Sequence, residues 1–324
     1  MRKNWAQLCL AFTFLLAAGQ AYAADYPARP IRLVVPYVAG GPTDAQARLF
    51  AEYLARDLKQ AVFVEDKGGA QGAIGAEAVA HGDADGYTML FTTSSVIELN
   101  PVLYKKLSYD PARELRILGI LSDVPMIMII HPSVPAKTIA EFVDYAKKNP
   151  GKLNFGSPGN GSIGQLAGEM FKQMAGIEMT HVPYKGAGAA LTDLLSGQIQ
   201  VMFESVGISL PPAQAGLVRP LGVSAAERIA ELPDLPTIAE SGYPGYRVSV
   251  WYGIAAPTGM PAEAAQKISA SMNRALDDQA FRASLVKAGF APLKPRSEDE
   301  IKQFVEADKD RWLNVVRKLN FSLD

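Results

Sequence analysis

Two glycine-rich loops carry the residue types that are most suited to chemistry. Residues 39–43, AGGPT, offer backbone N–H groups and the hydroxyl of Thr43, and a second loop offers Ser157, Gly161 and Ser162. Each loop precedes a predicted helix, whose first N–H groups lack backbone acceptors and favour an anion. Neither loop contains an arginine. Together the loops predict a carboxylate site built from amides, hydroxyls and trapped water.

Other polar and aromatic residues near these loops have two interpretations each. Asp44 either stabilises its own helix or accepts hydrogen bonds from a ligand hydroxyl or amine. Glu204 ends a predicted strand and either points into a cleft or lies exposed. Tyr37 and Tyr184 either wall a pocket or belong to the core.

Neither a metal site nor a catalytic nucleophile stands out. His81, His131 and His181 lie far apart in the chain, and the sequence contains no HExxH or CxxC motif. The stretch around Ser157 superficially resembles a nucleophile elbow, but Phe155 stands where the first glycine is required. We therefore expect no catalytic residue, no bound metal and no cofactor.

The segments that position these loops alternate between strands and helices. Residues 33–35 form a predicted buried strand, the two glycines that follow allow a tight turn, and Pro42 suits the first position of a helix. The same order recurs at residues 153–155, where a glycine-rich loop follows and Ser162 is the predicted N-cap of a helix. This alternation predicts an α/β fold with a mostly parallel sheet, in which ligands bind beyond the carboxyl ends of the strands.

Two apolar stretches predict that the chain crosses twice between two lobes. Residues 115–130 form one or two buried strands, and residues 247–255 form the second crossing, where we expect Trp251 and Tyr252 to pack at the hinge. The C-terminal helices should pack back on the first domain. The predicted domains are residues 24–124 with 250–324 for domain 1, and residues 125–249 for domain 2. A cleft should lie between them.

Length and composition are those of an ordinary globular protein. The 324 residues are 48% hydrophobic and 20% charged, which suits two domains of ordinary size. The net charge of -1 argues against nucleic acid as a partner. Residues 1–23 combine Arg2 and Lys3 with a short apolar run and an Ala-Tyr-Ala cleavage pattern. This predicts a secretory signal peptide, with an uncleaved anchor as the alternative, and a monomer in the periplasm.

A series of stretches also has a recognisable order and spacing. They are YPARPIRLVVPYVAGGPTDAQAR, GGAQGAIGAEAVA with DGYTML, LSYDP, GSPGNGS, VPYKGAGAALTDLLSGQI and WYGIAAPTGMP. In this order they resemble the Bug family of periplasmic receptors for tripartite tricarboxylate transporters. The resemblance extends from the signal peptide to the last helix. It implies a two-lobed Venus flytrap that closes on a small organic anion.

The resemblance also implies which residues contact the ligand. Carried over by position, the principal candidates are Tyr37, Ala39, Gly40, Gly41, Thr43, Asp44, Ser157, Gly161 and Ser162. Further candidates are Gln71, Gly72, Thr93, Ser94, Gln165, Tyr184 and Glu204. Two positions depart from the family pattern. Pro42 replaces a residue that is usually glycine and removes one N–H donor, and Gln165 stands where the family usually has histidine.

Three functions follow from these observations. The first is a non-enzymatic solute-binding receptor that captures a small carboxylate and presents it to the subunits of a membrane transporter. The second is a receptor that reports its ligand to a sensor kinase without transport. The third is a periplasmic hydrolase, which would turn over a bound ester or amide.

Overall fold

Strands and helices alternate through residues 26–319, the part of the chain that the computed structural model describes. The strands are β1 (Ile31–Val35), β2 (Val62–Asp66), β3 (Thr88–Thr93), β4 (Leu115–Ile130), β5 (Asn154–Ser157), β6 (Thr180–Pro183), β7 (Val201–Ser205), β8 (Arg219–Val223) and β9 (Ser249–Pro257). The predicted signal peptide, residues 1–23, lies outside the described residues.

The helices vary widely in length. They are α1 (Pro42–Leu58), α2 (Ala73–Ala80), α3 (Asn100–Leu103), α4 (Pro111–Glu114), α5 (Ile139–Lys148), α6 (Ile163–Ala175), α7 (Ala187–Leu195), α8 (Val206–Gln214), α9 (Ala262–Asp277), α10 (Gln279–Lys287) and α11 (Glu298–Leu319). A short 3₁₀ turn covers Ala70–Gly72, and a π-helical turn covers Ser95–Leu99. Within residues 26–319, none of these helices combines the length and the apolar character needed to cross a lipid bilayer.

The strands form two halves of similar design. The order along the sheet is β2-β1-β3-β9-β4-β7-β5-β6, and β8 pairs with β4. In the first half β2, β1 and β3 are parallel, and in the second half β6, β5 and β7 are parallel. The long strands β4 and β9 are antiparallel to their neighbours and connect the halves. This confirms the predicted α/β fold with two lobes and two crossings.

The strand β4 changes partners along its length. Its residues 115–125 pair with β9, and its residues 126–130 pair with β7 and β8. Residues 115–130 are therefore one strand and not two. This change of partner lies next to residue 124, the predicted domain boundary. The division into domains remains a prediction. Every residue of β9 is buried, as expected for a strand that is covered on both faces.

Local sequence signals set several helix ends. Thr138 Oγ1 accepts a hydrogen bond from Glu141 N at 3.2 Å, and Ser297 Oγ accepts one from Glu300 N at 3.3 Å. Each glutamate reaches back to a backbone N–H before its helix, at Lys137 and Ser297. Both predicted capping boxes are present, and they stabilise the starts of α5 and α11.

The C-terminal helices divide between the two halves. Helices α9 and α10 pack against α1, where the rings of Phe50 and Phe281 meet edge to face. Helix α11 contacts both the π-helical turn of the first half and α6 of the second half, and Gln173 Nε2 donates to Lys318 O at 3.2 Å. All three helices thus pack on the first half, as expected, and α11 packs on the second half in addition. Its fully buried Trp312 anchors the helix.

Candidate functional site

A cavity of about 780 Å³ lies between the two halves. Its first-half walls are residues 37–43, Ala45, Gln71, Thr93 and Ser95. Its second-half walls are Met126, Pro158, residues 162–164, residues 185–189, Leu191, Glu204, Ser205, Gly207, Ile208, Pro211 and Pro212. Val250, Tyr252, Ala288 and Phe290 complete the lining. Both glycine-rich loops therefore border the same cavity.

The amino-terminal ends of α1, α6, α7 and α8 all reach this cavity. Thr43, Gly164, Gly188 and Gly207 lie in the first turns of these helices and line the cavity wall. The first N–H groups of a helix have no acceptor within it, and the helix dipole adds partial positive charge there. Only α1, among these helices, has an acidic residue in its first turn. The four ends create a positive potential that suits an anion.

The first loop satisfies one of its own amides. Gly40, whose φ of 82° suits a glycine, donates its N–H to Asp44 Oδ2 at 2.8 Å. Asp44 Oδ1 forms an ion pair with Arg48 Nε at 2.6 Å. Asp44 is buried behind the loop and does not line the cavity. Because Pro42 has no N–H, the amides of Thr43 and Asp44 are the donors that the first turn of α1 leaves for a ligand.

The second loop is stabilised in the same way by a neutral side chain. Gly161 donates its N–H to Gln165 Oε1 at 2.7 Å, and Gln165 N donates to the N-cap Ser162 Oγ at 3.3 Å. Ser162 lines the cavity, whereas Gly161 and Gln165 lie behind it. The amides of Ile163 and Gly164 remain as first-turn donors. The S-x-x-Q spacing is a capping signal that could have predicted the role of Gln165.

Ser157 lies beneath the second loop and is fully buried. Its hydroxyl lies 2.7 Å from His181 Nε2 and also bonds with the backbone of Gly159. Burial lowers the pKa of His181, which favours the neutral imidazole. Ser157 does not line the cavity. In this position its hydroxyl holds the shape of the loop.

One hydrogen bond joins the two halves across the mouth of the cavity. Gln71 Nε2 donates to Asn160 O at 2.7 Å. Gln71 has the unusual φ of 51°, and its own carbonyl accepts from Asn100 Nδ2 at 3.1 Å. Gly72 is buried, and a Cβ at this position would lie 2.7 Å from Val96 Cγ2. Gly72 thus permits close packing that positions Gln71.

Several hydroxyl and carboxyl groups of the cavity lining lie close to the crossing strands. Tyr37 Oη and Thr93 Oγ1 lie 3.0 Å apart, and burial raises the pKa of Tyr37. Tyr252 pairs with Thr93 in the sheet. Glu204 Oε1 accepts a hydrogen bond from Ser205 N at 2.8 Å. These groups lie where the two halves meet at the crossing strands.

The predicted site residues divide into those that line the cavity and those that lie behind it. The first group is Tyr37, Ala39, Gly40, Gly41, Thr43, Gln71, Thr93, Ser162 and Glu204. The second group is Asp44, Gly72, Ser94, Ser157, Gly161, Gln165 and Tyr184, and it does not contribute to the cavity wall. Tyr184 Oη, for example, donates to Asp193 Oδ2 at 2.7 Å. Ligand contact by each residue of either group remains a prediction.

Sequence reasoning missed several lining residues. The first-turn residues of α6, α7 and α8 could have been found from the predicted helix starts, because orphan N–H groups occur there. Phe290 and Pro212 gave no such signal, since they reach the cavity only through packing. Among residues 26–319, no group of three or more His, Cys, Asp or Glu side chains is placed to hold a metal ion.

Comparison with known proteins identifies the family. A family model described as the tripartite tricarboxylate transporter family receptor matches residues 46–321. The chain belongs to this family. Protein BugT of Bordetella pertussis is 32% identical over 314 residues, which cover 96% of this chain and 96% of BugT. Members of the family are periplasmic binding receptors.

Solved structures of similar proteins contain small acids. R. palustris Rpa4515 with adipate is 34% identical, with a TM-score of 0.87 and coverage of 92% of this chain and 99% of that one. MatC (Rpa3494) from Rhodopseudomonas palustris with bound malate is 32% identical, with a TM-score of 0.82 and coverage of 90% of this chain and 100% of that one. These similarities establish that this receptor family has carboxylate-binding members with the same fold.

Proposed function

We propose that this protein is a periplasmic, non-enzymatic receptor that captures a small organic carboxylate between its two halves. It presents the ligand to the membrane subunits of a tripartite tricarboxylate-type transporter. Residues 1–23 direct export and are removed. The two lobes, residues 24–124 with 250–324 and residues 125–249, then close on the ligand by bending at the crossing strands.

The observation that carries this proposal is the convergence of four helix starts on one cavity. Each helix end stabilises a nearby anion by roughly 0.3–1 kcal/mol, and by more when the site is partly buried. The unused N–H groups at Thr43, Ile163, Gly164 and Gly188 offer donors from both halves. A carboxylate held by donors from both halves favours the closed arrangement, because the open arrangement can use only one set.

The relatives support the choice of ligand class. Rpa4515 is described with adipate and MatC with malate, and both molecules are carboxylates. Lys185 is the only basic side chain among the described residues that line the cavity, and it is exposed. Recognition of the carboxylate therefore depends on backbone N–H groups and hydroxyls such as those of Thr43 and Ser162.

A thermal-shift screen of the mature chain tests the ligand class. We expect at least one small carboxylate to raise the melting temperature in a saturable manner, because a ligand that binds only the folded state stabilises it. The matched amide or methyl ester of that acid should have no such effect. A protein stabilised by neutral sugars or amines, and by no carboxylate, would contradict the proposal.

Gly188 offers a matched pair of variants. A Cβ at this position meets no atom within 4 Å, so a small side chain fits at the start of α7. Gly188→Asp should weaken carboxylate binding by roughly 10- to 100-fold, because it places a negative charge beside the bound anion. Gly188→Asn has the same shape without the charge and should bind far better than the aspartate variant. Equal affinities would show that α7 does not face the anion.

Uptake by cells tests the coupling to transport. We expect deletion of the gene to abolish uptake of the identified acid, and Gly188→Asn to restore it better than Gly188→Asp. If uptake continues without the receptor and only gene induction is lost, the sensor-kinase function is correct instead. Consumption of the bound acid by the pure protein would indicate a hydrolase.

A further inference from the structure

Glu204 occupies an unusual position for a carboxylate. It lies near the end of β7, is only 6% exposed and lines the cavity. Among the described residues it forms no ion pair, and its hydrogen bonds come from Ser205. Buried acidic side chains are rare unless they are paired. An unpaired acid in a ligand cavity therefore indicates a partner that the bound ligand supplies.

The surroundings of Glu204 act on its ionisation in opposite directions. The N–H of Ser205 points to its Oε1 at 2.8 Å, and helix α8 begins at Val206, so the positive end of the helix dipole lies beside the carboxylate. Burial raises the pKa of Glu204, and the hydrogen bond from Ser205 opposes that change. A cation bound beside Glu204 would favour its ionised form, which accepts hydrogen bonds and has none to donate.

The neighbours of Glu204 supply further acceptors but no cation. The hydroxyl of Ser205 is buried in the same wall beside the carboxylate of Glu204, and its oxygen can accept a hydrogen bond from a ligand. Tyr252 lies nearby in the cavity lining, where burial and then the charge of Glu204 raise its pKa. The exposed Lys185 is the only lining residue with a basic side chain within the described part of the chain. The Glu204 end of the cavity is thus suited to a cation, whereas the starts of α1, α6 and α7 are suited to an anion.

We propose that Glu204 and Ser205 form a subsite for a protonated amine, so that the receptor selects a carboxylate whose other end is cationic. This inference rests on the proposed function, because it requires the carboxylate to lie at the starts of α1, α6 and α7, whereas Glu204 adjoins the start of α8. A dicarboxylate such as adipate, described with the relative Rpa4515, would bring its second negative charge against Glu204. The ligand class therefore differs from the simple diacids.

Acids of equal length that differ only at one end provide the test. Isothermal titration calorimetry compares succinate with 4-aminobutanoate, glutarate with 5-aminopentanoate, and adipate with 6-aminohexanoate, and hexanoate serves as the uncharged control. We expect the amino acid of at least one pair to bind about tenfold or more tightly than its diacid. A diacid that binds more tightly at every length would overturn the proposal.

Glu204→Gln shows whether this residue causes the preference. Glutamine keeps an oxygen that can accept from Ser205 N, so we expect the variant to fold. It should bind hexanoate more tightly than the wild type, because a negative charge has been removed from the cavity. The preference for the amino acid should disappear. If the preference persists, or if the variant changes only the melting temperature, Glu204 merely caps α8 and the proposal fails. A loss of diacid binding in the variant also overturns it, because Glu204 would then act as a neutral donor.

The two proposals can fail separately. If no member of the matched pairs binds but another carboxylate in the wider screen does, the amine subsite is wrong and the receptor function stands. If no carboxylate binds at all and an amine without a carboxylate does, the receptor function is wrong as well.

Discussion

The two loops that flank the cavity share one plan but differ in charge. In each loop a side chain accepts the N–H of the glycine four positions earlier: Asp44 accepts from Gly40, and Gln165 accepts from Gly161. The first acceptor is a carboxylate and the second is a neutral amide. A ligand anion beside the first loop approaches a negative charge, whereas the second loop has none. We therefore expect the second loop to attract an anion more strongly than the first loop does.

Arg48 offsets the charge of the first loop only in part. It pairs with Asp44 at 2.6 Å and with Asp66 at 2.9 Å, so one guanidinium faces two carboxylates. The side chain of Arg48 is 54% exposed, and water screens its field. The comparison shows that the same backbone turn can be held by a charged or a neutral acceptor. Only the neutral acceptor leaves the full helix dipole available to a ligand.

Gln165→Glu should have the largest effect on binding. The new carboxylate still accepts from Gly161 N, but it places a negative charge behind the second loop. We expect carboxylate affinity to fall by roughly 10- to 100-fold, and the melting temperature of the free protein to stay level or rise, because an acid favours a helix start. Calorimetric titration with the identified ligand measures the change.

The reciprocal variant is the control for this comparison. Asp44→Asn should tighten binding by a few-fold, about 2- to 5-fold, because it removes a charge that Arg48 already offsets in part. The comparison between the loops fails if Gln165→Glu binds like the wild type, or if Asp44→Asn weakens binding as much as Gln165→Glu does.

The halves also differ in how they bury an acid. Glu98, in the π-helical turn of the first half, is fully buried, and its Oε1 accepts from Trp251 Nε1 at 2.7 Å. Burial, and then the charge of Asp308, raise the pKa of Glu98. Its Oε2 and Asp308 Oδ2 have no other hydrogen-bond partner, which fits a proton held between them. Glu98 is thus a structural acid, whereas Glu204 faces the cavity.

Glu98→Gln should change stability and its dependence on pH. A raised pKa means that the folded chain keeps a proton which the unfolded chain releases, so stability falls as pH rises above the ordinary glutamate value near 4.5. Glutamine cannot ionise and can donate to Asp308. We expect the advantage of the variant over the wild type to grow with pH, by up to about 1.4 kcal/mol per pH unit between about pH 5 and about pH 8.

Chemical denaturation at several pH values measures this gain. Ligand affinity at neutral pH should remain that of the wild type, because Glu98 does not line the cavity. A variant with the same pH slope as the wild type would mean that Glu98 is ionised in the folded protein.

The bond between Gln71 and Asn160 couples the two halves. Gln71→Ala removes the side-chain N–H that donates to Asn160 O. It should weaken ligand binding by about 3- to 10-fold, because one neutral hydrogen bond between the two halves is lost. Asn160→Ala is a matched control, since Asn160 contributes only its backbone carbonyl oxygen to this bond. Its affinity should equal that of the wild type. Equal losses in both variants would indicate a general disturbance of the loops.

We expect the smallest effect from a substitution at the first residue of α1, the helix that follows the first loop. Pro42 opens α1 without an N–H, whereas Ile163 opens α6 with one. Pro42→Ala adds that donor and should tighten binding by about 2- to 3-fold, while the free protein loses roughly 0.5 kcal/mol because proline suits this position. Titration and thermal unfolding measure the two changes. Weaker binding would show that the ligand does not approach the start of α1.

Short-range patterns predicted most of the fold. The capping boxes at Thr138 and Ser297 are present, and strand, glycine loop and helix follow one another in both halves as expected. These signals involve residues a few positions apart, where the covalent chain itself limits the geometry. The single strand across residues 115–130 was left open, because periodicity does not show where a continuous apolar strand changes partners.

The candidate site was predicted less completely. Its loops were found, but Ser157 binds His181 beneath its loop, and α11 packs across both halves. The partners in these contacts are far apart in sequence, so local patterns carry no information about them.

The amino-acid sequence alone determined where helices start near glycines, and hence which backbone N–H groups could face an anion. Tertiary structure decided which of those groups already have partners, and it placed the unpaired carboxylate of Glu204 in the same cavity. The physical reason is the distance along the chain over which the interactions act. A helix start depends on neighbouring residues, whereas burial and charge in a cleft depend on the packing of both halves around it.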